Sequence, residues 1–144
     1  MILDKKGMRD LATKIADKLE GGEIIILVGD LAAGKTFLAQ AIGEKLGAKS
    51  IKSPTFVILE IYKTKKLFQI AHFDFYRLLN QEIDFFEWSD YLGNSDYVSI
   101  VEWGEKIKPR LEKLNYFEIK IDSAKNKNKR KVCLSSNLRK WLQN

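Results

Sequence analysis

A continuous apolar run, Ile24-Ile25-Ile26-Leu27-Val28, ends at Gly29 and hands over to Asp30-Leu31-Ala32-Ala33-Gly34-Lys35-Thr36. Five apolar residues with no polar alternation suit a parallel strand buried on both faces. Beyond the loop, Phe37 to Leu46 carry apolar residues at helical spacing, and Gly47 is the expected stop. Strand, glycine-containing loop and helix, with Gly-x-x-x-x-Gly-Lys-Thr between them, is the order a phosphate cradle needs. Consecutive backbone N–H groups and the positive end of the helix would face the anion. Lys35 is expected to reach the β- and γ-phosphates, and the Thr36 hydroxyl to help hold Mg²⁺. The competing reading is an ordinary strand-to-helix turn, and both flanks weigh against it. The pattern predicts a chain that binds a nucleotide triphosphate.

At 144 residues the chain is expected to form a single domain over 1–144, long enough to bury a real core. Its 45% hydrophobic and 31% charged content is that of a globular protein. No apolar run approaches the length of a membrane span, and no membrane role is expected. Met1 to Lys6 lack the apolar region of a secretory signal. Cys133 is the only cysteine, which points to a reducing cytoplasm and excludes an internal disulfide. Within Lys131-Val132-Cys133-Leu134 it reads as a small buried side chain rather than a nucleophile. The net charge of +6 favours anionic partners, with nucleotide phosphate supplying one. Much of that excess sits between Lys125 and Lys131. This run is read as a solvated hairpin loop, with RNA or an acidic partner as the alternative and no DNA partner expected.

The apolar spacing of Met8, Leu11, Ala12, Ile15, Ala16 and Leu19 predicts a first amphipathic helix ending at Gly21-Gly22. Phe56 to Tyr62 and Leu67 to Asp74 read as strands of an antiparallel hairpin across a four-residue turn. Asn80 is placed to cap a short helix through Glu87. Tyr97 to Val101 forms a strand that ends at Glu102, and Tyr116–Ile121 with Lys131–Leu134 forms a second hairpin. The expected fold is α/β: a P-loop NTPase-like sheet, partly parallel, with added antiparallel strands and flanking helices.

Hydrolysis also needs a metal shell and a group that orients water. Carboxylates at the C-terminal ends of strands are the candidates, because ligands of open α/β sheets collect there. Asp74 and Glu102 both end apolar strands, and each could meet Mg²⁺ directly or through water. His72, the only histidine, is two positions before Asp74 and shares its strand face. A hydrogen-bonded structural role is favoured for it over catalysis. Trp103 follows Glu102, so the two side chains should start on opposite sides of the chain. It is equally placed to cover a nucleotide or simply to pack. Thr55, after Ser53-Pro54, reads either as a switch-like loop residue or as part of a rigid turn.

Taken in order, Gly29 to Thr36, Ser53-Pro54-Thr55-Phe56, His72-Phe73-Asp74-Phe75-Tyr76-Arg77-Leu78 and Val101-Glu102-Trp103 resemble the TsaE (YjeE) family. These are small bacterial ATPases needed for the threonylcarbamoyladenosine (t6A) modification of tRNA position 37. The resemblance implies ATP and Mg²⁺ as cofactors, with Asp30, Leu31, Ala32, Ala33, Gly34, Lys35, Thr36, Phe37 and Trp103 around the nucleotide. It implies Thr36 and Glu102 as Mg²⁺ ligands and Asp74 as the Walker-B-like acid, with Asp74 and Glu102 serving hydrolysis. It implies the TsaB–TsaD complex as partner: TsaD transfers threonylcarbamoyl to adenosine, and ATP hydrolysis resets the assembly. Two positions depart from the family pattern. Ala32 replaces a usual Gly, and a left-handed backbone there would cost Ala roughly 1–2 kcal/mol. Gly104 replaces a frequent Pro after Glu-Trp, which leaves the orientation of Trp103 less fixed.

Two other functions compete. A small-molecule P-loop kinase commonly carries several lid arginines, whereas Arg9, Arg77, Arg110, Arg130 and Arg139 are scattered. A nucleotide-gated RNA-binding module would rest on the Lys125–Lys131 run and would weaken steeply with salt. Adenine is favoured as the base, because the Asn/Thr-Lys-x-Asp element that reads guanine does not occur.

Overall fold

A computed structural model describes residues 1–52, 54, 57–83 and 88–144. Ser53, Thr55, Phe56 and residues 84–87 lie outside this set, and with them the expected loop residue Thr55 and the helix end at Glu87. The chain begins with β1 (Ile2–Leu3), α1 (Lys5–Lys18), β2 (Ile24–Val28) and α2 (Lys35–Lys45). There follow β3 (Leu59–Tyr62), β4 (Gln69–Asp74), the short α3 (Asn80–Ile83) and β5 (Tyr97–Glu102). The last elements are β6 (Phe117–Ser123), β7 (Arg130–Leu134) and α4 (Ser136–Gln143).

The strands form one sheet in the order β1-β7-β6-β2-β5-β4-β3. Its centre is parallel: β2 pairs in parallel with both β5 and β6, and β5 pairs in parallel with β4. The edges are antiparallel and come from the two predicted hairpins, β3–β4 with Leu59 opposite Phe73 and β6–β7 with Ile119 opposite Leu134. The fold is therefore the expected mixed α/β, P-loop NTPase-like arrangement. The unbroken apolar run of β2 has its physical reason here, because this strand is covered on both faces. Ile25 and Leu27 pack with Leu11, Ile15, Leu38 and Ile42 of the helices. Ile24 and Ile26 pack on the opposite side with Phe73, Val101, Ile107 and Leu111.

Two short elements were not expected: β1, which pairs with β7 at the sheet edge, and α4, whose Trp141 ring stacks on Phe117 at 4.9 Å between centroids. Cys133 corrects another expectation. It is exposed rather than buried. Strand β7 alternates, so Val132 and Leu134 point into the core while Lys131 and Cys133 face out. The two-residue period overrides the ordinary preference of cysteine for the interior. Among the described residues, no helix is long and apolar enough to cross a membrane.

Gly29 marks a close backbone approach between β2 and β6. A Cβ there would lie 2.1 Å from the Ile121 carbonyl oxygen, and φ is +150°. Only glycine lets β2 turn into the loop against β6 at that distance.

Chemical denaturation checks this layering. Ile26→Ala should cost about 2–5 kcal/mol, as for a large-to-small change in a sealed core. Cys133→Ser should stay within about 0.5 kcal/mol, as for a surface change.

Candidate nucleotide site

The period of two explains how the acidic residues reach α2. On β4, Ile70, His72 and Asp74 share one side, and on β5 Val98, Ile100 and Glu102 share the same side. Ile70, Val98 and Ile100 pack against α1 and α2 on that side. Asp74 pairs with Glu102 across the parallel ladder, and both end their strands. The two carboxylates therefore arrive together beneath the first turn of α2. They are deeply buried, Asp74 being 3% and Glu102 2% exposed.

Their partners are specific. The Thr36 hydroxyl donates to Glu102 Oε2 at 3.0 Å, and His72 Nε2 lies 3.1 Å from Glu102 Oε1. Asp74 Oδ1 accepts the Tyr76 backbone N–H at 2.9 Å, and the Asp74 N–H donates to the Ile58 carbonyl at 2.9 Å. The Lys35 ammonium donates to the Gly29 carbonyl at 2.5 Å and the Asp30 carbonyl at 2.7 Å. It also sits over the Trp103 ring, 4.1 Å from the centroid. Burial pushes the Lys35 pKa below the ordinary lysine value, and the charges of Glu102, Glu105, Asp74 and Asp30 oppose that shift.

The loop from Gly29 to Gly34 is a chain of unusual backbone angles. Gly34, which precedes α2, has φ +115°, and Ala32 has φ +61°. The left-handed conformation at which Ala32 is penalised is thus the one it adopts. Arg130, at the start of β7, donates through Nε to the Ala33 carbonyl at 2.8 Å, tying the basic hairpin to this loop. The stretch after Asp74 is held from the other side. Lys106 donates to the carbonyls of Phe75, Tyr76 and Leu78 at 2.8, 2.9 and 3.0 Å.

Two cavities flank the loop. One, of about 150 Å³, is lined by Lys35, Thr36, Asp74, Tyr76, Glu102 and Trp103 together with loop residues. The other, of about 690 Å³, lies against Ala32, Gly34 and Phe37 and is rimmed by Lys5, Lys6, Lys127 and Arg130. Lys35, Thr36, Asp74, Glu102 and Trp103 are thereby brought together, while Phe37 stands on the far side of the loop. Leu31 points out at 68% exposure. Trp103 does not follow the strand alternation expected of it. With φ +60° and ψ +39° the chain turns at this residue, so Trp103 lines the same cavity as Glu102. Its ring packs on Tyr76 at 4.8 Å between centroids. Arg130, Lys106 and Tyr76 went unrecognised as site residues in sequence. Tyr76 lies inside a recognised motif, but the other two act on backbone carbonyls, which leave no side-chain pattern to read.

The donor set suits phosphate and a hard divalent cation: backbone amides at a helix N-terminus, an ammonium, and two oxygens of Thr36 and Glu102 at 3.0 Å. Fold and site together define a mixed α/β protein of the P-loop NTPase-like class. Comparison with known proteins narrows this class. Residues 2–132 match the family described as "Threonylcarbamoyl adenosine biosynthesis protein TsaE". Relatives named tRNA threonylcarbamoyladenosine biosynthesis protein TsaE include one from Rickettsia prowazekii, 39% identical over 106 residues, 72% of each chain. Another, from Streptomyces coelicolor, is 37% identical over 121 residues, covering 81% of this chain and 80% of the relative. A third, from Haemophilus influenzae, is 36% identical over 112 residues, covering 73% and 70%. The chain belongs to the TsaE family. In fold it is also similar to a crystal structure of the Bacillus protein YdiB, with a TM-score of 0.75, 24% identity, and coverage of 99% of this chain and 90% of that one.

Ala32→Gly should raise stability by about 0.5–1 kcal/mol, the relief of left-handed strain less the extra entropy of unfolded glycine. Thermal or urea unfolding measures it, and a loss of stability would contradict the strain assigned to this residue.

Proposed function

We propose that the chain is a Mg²⁺-dependent ATPase, working as one domain over residues 1–144 in the cytoplasm. Its role is in t6A modification of tRNA position 37, where it binds the TsaB–TsaD complex and resets it by ATP binding and hydrolysis. Membership of the TsaE family supports the pathway. The observation that carries the ATPase reading is the Thr36–Glu102 hydrogen bond beneath the N-terminus of α2, beside a buried lysine.

On this reading the loop amides from Asp30 to Thr36 and the Lys35 ammonium bind the triphosphate. Thr36 and Glu102 would hold Mg²⁺ through their oxygens, and the chemistry it would supply there is neutralisation of phosphate charge. Asp74 orients the attacking water, its own direction fixed by the Tyr76 N–H. Trp103, braced by Tyr76, excludes bulk water from that end of the cleft. The larger cavity beside Gly34 and Phe37 has the volume and the apolar floor, with Met8, to take the nucleoside.

Calorimetry and phosphate release test this. Lys35→Ala should weaken Mg·ATP binding about tenfold to a hundredfold, the worth of charge-assisted hydrogen bonds. Asp74→Asn should leave binding near the parent's while lowering turnover, with or without TsaB–TsaD, about a hundredfold. A parent protein that gives no heat with Mg·ATP, or Lys35→Ala matching it, removes the proposal.

A second contact, with tRNA itself, is favoured by Arg130, which joins the Lys125–Lys131 hairpin to the Ala33 carbonyl. Neutralising Lys125, Lys127 and Lys129 should flatten the salt dependence of tRNA affinity, by about 0.9 in logarithmic slope for each lost duplex phosphate contact. Unchanged affinity and slope would leave the hairpin without that role.

A further inference from the structure

His72 is 1% exposed, and among the described residues its ring is joined to the site by one hydrogen bond, Nε2 to Glu102 Oε1 at 3.1 Å. Among the described residues, Nδ1 has no hydrogen-bond partner and is fully buried. This asymmetry settles the tautomer. An N–H at Nδ1 would be a buried donor with no acceptor, whereas a proton on Nε2 meets a carboxylate oxygen. His72 is thus placed to donate from Nε2 to Glu102 Oε1.

The consequence falls on Glu102. Its two oxygens have different duties: Oε1 accepts from His72, and Oε2 accepts from the Thr36 hydroxyl at 3.0 Å. Each oxygen keeps a further lone pair, so an ion that took both would have to share Oε1 with the imidazole N–H and compete with it for the charge of that oxygen. Mg²⁺ is small, demands near-octahedral geometry and takes carboxylates through single oxygens. Ca²⁺ is larger and readily accepts both oxygens of one carboxylate. Sheet geometry backs the arrangement, because His72 and Glu102 lie on adjacent parallel strands and face the same helix.

We propose that His72 is a positioning residue that holds Glu102 to one-oxygen coordination and thereby sets the preference of this site for Mg²⁺ over Ca²⁺. It touches neither nucleotide nor metal. The inference rests on the metal-dependent nucleotide site proposed above and names what determines its cation selectivity.

The test compares ADP affinity by calorimetry in Mg²⁺, in Ca²⁺ and in EDTA, for the parent and three variants. His72→Leu fills the volume without a donor. His72→Gln carries an amide NH₂ at a reach similar to Nε2, and His72→Asn carries one that falls short. The parent should bind ADP more tightly with Mg²⁺ than with Ca²⁺. In His72→Leu and His72→Asn that ratio should fall about tenfold, with ADP affinity in EDTA unchanged, and His72→Gln should restore most of it. The Gln–Asn comparison decides the matter even where the leucine variant does not fold. An unchanged Mg²⁺/Ca²⁺ ratio in Leu and Asn, or a glutamine variant as unselective as asparagine, overturns the assignment while leaving the nucleotide site intact. A parent that shows no metal-dependent ADP affinity overturns both.

Discussion

A carboxylate buried at the C-terminal end of a parallel strand is the constraint around which this site is organised. Removing an ionised carboxylate from water costs several kcal/mol unless hydrogen bonds and opposite charge replace the lost hydration. Glu102 has both. Thr36 and His72 take one oxygen each, and the Lys35 ammonium lies within its field. The same ammonium also lies in the field of Glu105, Asp74 and Asp30. A polyphosphate brought into such a cleft adds negative charge beside these carboxylates. On the proposed reading a divalent cation is then an electrostatic requirement as well as a catalytic aid.

The phosphate loop depends on the same sheet. Gly29 is pressed against the Ile121 carbonyl of β6, which sets where the loop begins, and the first turn of α2 sets where it ends. Between them the chain crosses left-handed geometry at Ala32 and Gly34. Alanine at the first of these is an expense of a size a domain tolerates, about a tenth of typical stability. Trp103 and Ile58 also adopt positive φ, and each is joined to an acidic residue, Trp103 by sequence to Glu102 and Ile58 by its carbonyl to the Asp74 N–H. Among the described residues Ser50 is the other non-glycine position with positive φ, and it has no such link to an acidic residue of the site.

How much of this was legible follows from the range of each interaction. The strand, loop and first turn from Ile24 to Thr36 are encoded locally, by run length and glycine spacing, and they came through intact. The two hairpins were legible for the same reason. That Asp74 and Glu102 sit side by side was visible only as two strand ends. Their adjacency depends on strand order, which nothing within either segment states. Cys133 was misread because residue preference was weighed above the two-residue period. Trp103 was open between covering a nucleotide and packing, and the turn just past the end of β5 that brings it into the cavity with Glu102 has no signal in the strand pattern. Arg130 was counted as charge in a basic run, whereas its Nε–H serves a carbonyl 97 positions earlier in the chain.

That contact bears on how the loop can work. In a planar trans peptide the carbonyl and the following N–H point in opposite directions. Arg130, by holding the Ala33 carbonyl, directs the Gly34 N–H away from the hairpin. Lys35, by holding the Gly29 and Asp30 carbonyls, directs the N–H groups of Asp30 and Leu31 away from its own ammonium. A phosphate bound by Lys35 and by those two amides together would need these peptides turned over. Lys35 must then exchange two carbonyl oxygens for phosphate oxygens. Ala32 stands between the part of the loop anchored by Arg130 and the part held by Lys35. Alanine narrows the rotations open to that position relative to glycine, and its φ of +61° is already one that side chains rarely adopt.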